Sequence, residues 1–270
     1  MEKIAIIGAG NIGEALIAAL VGAGTDPQTI VATNRSAERS QQLADRYGIE
    51  TAEDNRQAAT DADMVVLCVK PAQVPDLLDE IGEVIAAADV HTVIVSMAAG
   101  VTLTTMEEVV PAAGAPIVRV MANTPMLVGK GVLAVAYGRY VANDQREAVR
   151  EVLATAGHVV EVEESQLSAV TALSGSGPAY YFLLTEALID AGVSLGLPRD
   201  LASELARATA AGAGAMLEQK SDPVALRAGV SSPAGTTVAA IRELEESGLR
   251  GAVYRATEAC SKRADELSQR

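Results

Sequence analysis

The sequence predicts an α/β fold, with a doubly wound sheet in the first part of the chain and a wholly helical second part. Three observations predict it. Apolar runs of strand length alternate with helical patterns as far as Val162, a glycine-rich turn joins the first run to the first helix, and beyond Ser165 no further strand candidate occurs. The longest apolar runs, such as Met64 to Val69 and Val90 to Val95, are far short of the roughly 20 residues that a membrane span needs.

The first strand is Glu2-Lys3-Ile4-Ala5-Ile6-Ile7. Gly8-Ala9-Gly10-Asn11-Ile12-Gly13 follows directly and opens a helix at Glu14-Ala15-Leu16-Ile17. After a strand and before a helix, G-x-G-x-x-G is a dinucleotide fingerprint of the Rossmann type. Gly8 permits the tight turn, Gly10 lets backbone approach a pyrophosphate and Gly13 lets the helix pack closely on the strand; Asn11 and Ile12 belong to the same phosphate cradle. A tight turn with no ligand is the competing reading. The second strand, Ile30 to Thr33, ends in Asn34-Arg35-Ser36, where an NAD-specific site usually has an acid on the ribose 2′-OH. No acid stands there. A guanidinium and two small polar donors can take a 2′-phosphate, so NADPH is expected, with NADH also accepted. Otherwise Arg35 is a solvated residue starting the helix that runs to Tyr47.

Gly48 breaks that helix, a short strand Ile49 to Thr51 follows, and Asp54-Asn55 begins another polar helical piece. Met64 to Val69 shows no polar alternation, as a strand of a parallel sheet covered on both faces requires. It ends in Val69-Lys70-Pro71, at the strand end where ligands bind in this architecture, so Lys70 is either a cofactor contact or a surface lysine. The strand Thr92 to Ser96 delivers Met97-Ala98-Ala99-Gly100 to the same edge, and the small Ala98 and Ala99 leave room for a nicotinamide or its ribose. Ile117 to Val120 leads to Asn123-Thr124-Pro125, where Asn123 could hydrogen-bond the nicotinamide ribose. Val132 to Ala136, a helix from Asp144 to Ala156 and His158 to Val162 complete the sheet. The expected domains are therefore 1–162, dinucleotide-binding, and 163–270, helical.

In the second half, Thr171 to Pro178 interrupts or kinks an apolar helix pair. The run Ala179 to Ile189 is apolar nearly all round, so it is expected to be buried on every side. A domain this short rarely buries so much alone, and an intertwined homodimer is the simplest solution. Leu197-Pro198 opens a helix from Arg199 to Gln219, rich in Ala and Gly. The last helices are placed from Gly235 to Ser247 and from Arg250 to about Leu267. Ahead of them lies Val230-Ser231-Ser232-Pro233-Ala234-Gly235-Thr236-Thr237, a loop entering a helix N-terminus, whose unpartnered N–H groups can dock a carboxylate without lysine or arginine. The plain alternative is an ordinary Ser/Thr cap.

This loop resembles the signature loop of the pyrroline-5-carboxylate reductase family. Leu173 to Tyr180, Arg119 to Pro125 and Val69-Lys70-Pro71 agree with the same family, and with the glycine loop they span nearly the whole chain in the family's order. One departure is Ala234, which stands where the family usually has a second glycine. The resemblance implies NAD(P)H-dependent reduction of 1-pyrroline-5-carboxylate to L-proline, the last step of proline biosynthesis. It implies a homodimer through the C-terminal helices, making 163–270 a dimerisation and substrate domain, with higher assembly of dimers allowed. It further implies that Thr237 hydrogen-bonds the ring nitrogen and is catalytic, and that backbone around Ser232, Gly235 and Thr236 receives the carboxylate. By the same resemblance Glu164 lies near the substrate amine and Asn55 contacts the adenosine portion. Threonine is a poor acid at neutral pH, so Thr237 reads as orienting the imine and relaying a proton from water. Glu161, Glu163 and Glu164 also read as a solvated acidic run.

Composition limits the partners. Asp and Glu outnumber Lys and Arg by 35 to 21, for a formal charge of -14, and such a surface repels phosphate backbones, so nucleic acid is not expected. The acidic, lysine-poor balance fits either a salt-loving host or an ordinary acidic cytosolic protein. The N-terminus enters a strand within three residues, so a cytoplasmic location is expected. Cys68 and Cys260 are unpatterned and expected to be free thiols, and His91 and His158 to be structural. No metal site and no H-E-x-x-H, C-x-x-C or G-x-S-x-G motif is present. Two alternatives stay open. A reductase of another oxo or imino acid would be indicated by a lysine within the helical half, and none lies between Lys130 and Lys220; a nucleotide-sensing regulator would lack the hydroxyl loop, which is present.

Overall fold

The computed structural model describes residues 3–88, 92–111, 113–219 and 222–268. The first part of the chain runs β1 (Ile4–Ile7), α1 (Asn11–Gly22), β2 (Ile30–Thr33), α2 (Ala37–Tyr47), β3 (Glu50–Thr51), α3 (Asn55–Ala59), β4 (Met64–Leu67) and α4 (Val74–Ala87). It continues β5 (Val93–Ser96), α5 (Leu103–Val109), β6 (Ile117–Met121), β7 (Gly131–Tyr137), α6 (Asn143–Ala154) and β8 (Gly157–Glu161). Among the described residues these strands form one sheet in the order β3-β2-β1-β4-β5-β6-β7-β8. Strands β1 to β6 pair in parallel, β7 runs antiparallel to β6, and β8 is parallel to β7. The apolar pattern carried no information on that reversal. Only a 3-10 turn at Thr124–Val128 separates β6 from β7, whereas a parallel return needs a crossover of about a dozen residues or more.

Both faces of the central strands are covered, as their unbroken apolar sequences require. Ile4 and Ile6 of β1 bury one way with Leu16, Ile17 and Leu20 of α1; Ala5 and Ile7 bury the other way with Leu78 and Ile81 of α4. In register, Ile7 pairs with Thr33 on one side and Leu67 on the other, so the ends of β2, β1 and β4 come level. Chain order turns back between β1 and β4, which is where such sheets bind ligands.

The remaining elements are α7 (Leu167–Val170), a π-helical stretch Thr171–Gly175, α8 (Gly177–Ser194), α9 (Arg199–Glu218), α10 (Pro223–Gly229), α11 (Thr236–Glu246) and α12 (Leu249–Ser268). The chain divides into two compact units, Met1–Gly175 with Cys260–Arg270, and Ser176–Ala259. This break lies beyond the change of pattern at 162/163, because the residues just after β8 still pack on the sheet. Leu167 joins the core beneath it, and a side chain at Gly175 would stand 2.6 Å from Met121 Cε. The end of α12 belongs to the same unit: a side chain at Gly100 would stand 3.2 Å from the Leu267 carbonyl oxygen.

Within the second unit, α8 packs on α9 so closely that a side chain at Gly192 would lie 3.1 Å from Ala202 Cβ. The apolar run on α8, expected to be buried all round, is not covered within one chain. Tyr181, Phe182 and Leu183 are 66%, 68% and 66% exposed, since α9 screens only one side. Helix α10 went unforeseen, although Asp222-Pro223 is a start signal: the Asp222 carboxylate accepts from Val224 N at 3.0 Å. His158 sits inside β8 with its side chain exposed. His91 and Lys220 lie outside the described residues.

Candidate active site

The glycine turn has the three properties its spacing predicts. Gly8 is left-handed at φ +79°, its N–H and that of Ala9 both donate to the Thr33 carbonyl at 3.1 Å, and a Cβ on it would strike Val69 Cγ1 at 2.7 Å. Over Gly10 the space is open, with nothing nearer to a notional Cβ than the Gly8 oxygen at 3.9 Å. At Gly13 a Cβ would stand 3.2 Å from Ile6 Cγ2, so only glycine lets α1 lie this close to β1. Helix α1 begins behind Gly10 with no side-chain cap, leaving Asn11 and Ile12 exposed at its start.

Beside this turn opens a cleft of about 380 Å³, lined by Gly8, Thr33, Asn34, Arg35, Asn55, Val69 and Glu80 among others. Asn34 tests whether a dinucleotide phosphate fits. Its amide nitrogen is sealed from solvent and has no hydrogen-bond partner, a costly condition that an incoming phosphate or ribose oxygen would relieve. Among the described lining residues Arg35 alone carries positive charge. Nearby Arg39 is already committed to Glu14, which also accepts from Arg46 at 2.9 Å and from the Tyr47 hydroxyl at 3.1 Å. Burial pushes the Glu14 carboxyl up, but its bonds to Arg39 and Tyr47 outweigh this and hold it below its ordinary value. Ser36 caps α2 through Arg39 N at 3.4 Å.

The other predicted cofactor residues stand at the carboxyl ends of neighbouring strands. Lys70 is exposed after β4, ahead of the 3-10 turn Pro71–Gln73. Ala98 is buried and Ala99 exposed after β5. Asn123 is 8% exposed and largely engaged: its Oδ1 accepts from Val132 N at 2.8 Å and its Nδ2 donates to the Ser174 carbonyl at 2.9 Å. The side chain expected at the nicotinamide ribose therefore ties the loop after β6 to the start of β7 and to the π-helical stretch. Asn55, a turn residue on sequence alone, accepts from Thr33 Oγ1 at 2.8 Å and donates to both Glu80 oxygens at 3.2 and 3.0 Å.

Glu164 is not a solvated acid. Its Oε1 accepts from Arg119 Nη1 at 2.9 Å and from Leu103 N, the first residue of α5, at 2.7 Å. Sequence reasoning missed Glu80 and the partner role of Arg119, because packing alone brings those residues to their places. Cys68, under the glycine turn, has its thiol pushed up to about 12 by burial. Its residue surface is only partly covered, but the sulfur itself lies against Met97 Sδ at 3.9 Å. Native protein at pH 8 should accordingly show no fast reaction of Cys68 with a disulfide reagent; labelling at Cys68 before unfolding, read by peptide mass, would contradict this.

In the second unit, Ser232 to Gly235 forms a turn closed by Gly235 N donating to the Ser232 carbonyl at 2.9 Å. Pro233 takes the second position and Ala234 the third, at φ +58°, which is the type II pattern that asks for glycine in third place. Here is the physical reason for the family glycine that Ala234 replaces. A side chain at Gly235 would force the Ser232 hydroxyl aside and stand 3.0 Å from the Ser232 carbonyl oxygen. It caps α11 without a side-chain bond, so Thr236 and Thr237 open the helix beside N–H groups of its first turn. Ala234→Gly should leave stability unchanged or raise it by up to about 1 kcal/mol, the relief of left-handed strain exceeding the entropy that glycine adds to the unfolded chain. A fall in melting temperature would refute that account.

Fold and site together define a class: an NADP-dependent oxidoreductase with a Rossmann sheet and a helical C-terminal half. A sequence model described as pyrroline-5-carboxylate reductase dimerisation matches residues 164–267, and one described as NADP oxidoreductase, coenzyme F420-dependent, matches residues 3–100. The pyrroline-5-carboxylate reductase of Corynebacterium melassecola is 57% identical over 270 residues, covering 100% of both chains, and that of Mycobacterium tuberculosis strain H37Rv is 43% identical, covering 99% of this chain and 97% of its own. The chain belongs to the pyrroline-5-carboxylate reductase family. A solved reductase from Coxiella burnetii superposes with a TM-score of 0.94 at 38% identity, covering 99% of this chain and 98% of its own. Pyrroline carboxylate reductase from Plasmodium falciparum, solved with NADP bound, gives 0.86 at 28% identity, covering 99% of both.

Proposed function

We infer that the protein reduces 1-pyrroline-5-carboxylate to L-proline with NADPH, and with NADH as a second donor. What carries this is the hydroxyl-bearing turn at Ser232–Thr237 in a chain aligned end to end with reductases of that name. The reduced nicotinamide, when bound, supplies the hydride that goes to the imine carbon. The chain's own residues position and neutralise. Backbone N–H groups around Ser232, Gly235 and Thr236 take the substrate carboxylate, and Thr237 Oγ1 hydrogen-bonds the ring nitrogen, which gains a proton relayed from water. Glu164 enters through the family resemblance as a neighbour of the substrate amine, and its Oε1 also anchors α5 to β6.

For the cofactor, Gly8, Gly10, Asn11, Ile12 and Gly13 cradle the pyrophosphate, and Asn34, Arg35 and Ser36 take the 2′-phosphate. Asn55 lies toward the adenosine; Val69, Lys70, Pro71, Ala98, Ala99 and Asn123 line the nicotinamide side. By sequence pattern residues 1–162 make the dinucleotide-binding domain and 163–270 the dimerisation and substrate domain, with 163–175 and the end of α12 packing in the first compact unit. The exposed apolar face of α8 supports a homodimer, with assembly of dimers beyond it. No described helix is long and apolar enough to cross a membrane, which accords with work in the cytoplasm.

The test is loss of 340 nm absorbance on adding pyrroline-5-carboxylate and NADPH, with proline identified as product; a folded dimer that binds NADPH and gives no turnover would sink the reading. Arg35→Ala should raise the Michaelis constant for NADPH about tenfold, the worth of one exposed charge-assisted contact, and leave that for NADH nearly unchanged. An equal rise in both would remove the 2′-phosphate assignment.

A further inference from the structure

Away from the end of β2, the lining of the cleft is largely acidic. Glu53, Asp54, Asp76 and Glu80 line it, while the donors Asn34 and Arg35 stand at the end of β2. A dinucleotide phosphate cannot lie against that lining, because carboxylates only accept hydrogen bonds and repel its charge. A neutral part of the cofactor that donates hydrogen bonds can.

Two of these acids are held in place: the Asp54 carboxylate caps α3, accepting from Gln57 N at 2.7 Å, and Glu80 is fixed from two sides. Its backbone carbonyl accepts from Arg56 Nη1 at 3.1 Å, and Asn55 Nδ2 donates to its two oxygens at 3.2 and 3.0 Å. Asn55 is oriented in turn by Thr33 Oγ1, a buried hydroxyl donating to its Oδ1 at 2.8 Å. The amide cannot be reversed, since its oxygen would then face the Glu80 carboxylate. The chain Thr33–Asn55–Glu80 thus ends in an oriented acceptor at the cleft. A carboxylate offers about four lone-pair sites, and one amide does not exhaust them.

We propose that Glu80 reads the base of the dinucleotide, accepting a hydrogen bond from the exocyclic amine of adenine. This rests on the cofactor reading above and deepens it by naming a specificity residue. Glu80 rejects a base that presents an oxygen at that position, because acceptor would then face acceptor. The alternative donor, a ribose hydroxyl, is common to every such dinucleotide and would give no choice between bases.

The experiment compares equilibrium binding of NADPH with that of its hypoxanthine analogue, in which the purine amine is replaced by oxygen, using nicotinamide fluorescence and no substrate. Wild type should bind the analogue about 10- to 100-fold more weakly, the loss of one hydrogen bond to a charged group with its acceptor left facing oxygen. Glu80→Gln, whose amide can donate to that oxygen, should shrink or invert the preference, and Glu80→Ala should abolish it. Equal affinity of wild type for the two dinucleotides overturns the proposal, as does an unchanged preference in folded Glu80→Gln. Failure of both dinucleotides to bind would overturn the cofactor reading itself, and this inference with it.

Discussion

Replacing Thr237 by alanine is expected to lower kcat for pyrroline-5-carboxylate about 100-fold while leaving the affinity for NADPH unchanged. The magnitude is that of removing one oriented hydrogen-bond donor or proton-relay group at a reacting atom. Structure separates this effect from damage to the fold. Thr237 lies one residue inside α11, whose cap position belongs to Gly235, so the substitution removes no capping bond. Alanine is also the better helix former, so the melting temperature should hold or rise slightly. Thr237→Ser, which restores the hydroxyl, should recover much of the rate. Steady-state rates at 340 nm, with fluorescence titration of NADPH, check all three points. A kcat within about twofold of wild type would show that the ring nitrogen is served by another group.

What could be read in the sequence was local. The glycine turn, the strand ends and the hydroxyl loop each occupy a few consecutive residues, and backbone geometry fixes what such stretches do. Ala234 shows the same logic: a Pro-x-Gly turn wants a left-handed third residue, and the chain adopts φ +58° there although the residue is alanine. Residues whose work depends on a distant partner were illegible. Glu80 acquires its orientation from Asn55, 25 positions away, and Glu164 pairs with Arg119 across 45. Asn123 reads as a ligand contact because it follows a strand, and its hydrogen bond to Ser174, 51 positions on, was equally invisible. No periodicity encodes such pairs. Likewise the apolar run of α8 announced burial on every side, but a single chain leaves it exposed.

The Arg119–Glu164 pair yields the second large effect, on stability. Arg119 is 9% exposed on β6, and its Nη1 bonds the same Glu164 oxygen that holds the first residue of α5. Arg119→Met would leave that carboxylate, 29% exposed as a side chain, with the Leu103 N–H as its remaining hydrogen-bond donor on Oε1. Breaking a fully buried pair from one side costs about 3–5 kcal/mol, and the partial exposure of Glu164 reduces this to about 2 kcal/mol. For a chain of this size that is a fall of about 4–8 °C in melting temperature. The β5–α5 loop, Met97 to Thr102, carries Ala98 and Ala99 and is anchored at Leu103 by this bond. Loosening it should therefore raise the Michaelis constant for NADPH as well, by a smaller factor than Thr237→Ala lowers kcat. The double variant Arg119→Met with Glu164→Met removes both charges and should recover part of the lost stability, since the cost lies in the stranded carboxylate rather than in the missing attraction. Calorimetry of the four proteins decides it: strictly additive losses would mean that the two side chains act independently, and that Glu164 does not anchor the loop through Arg119.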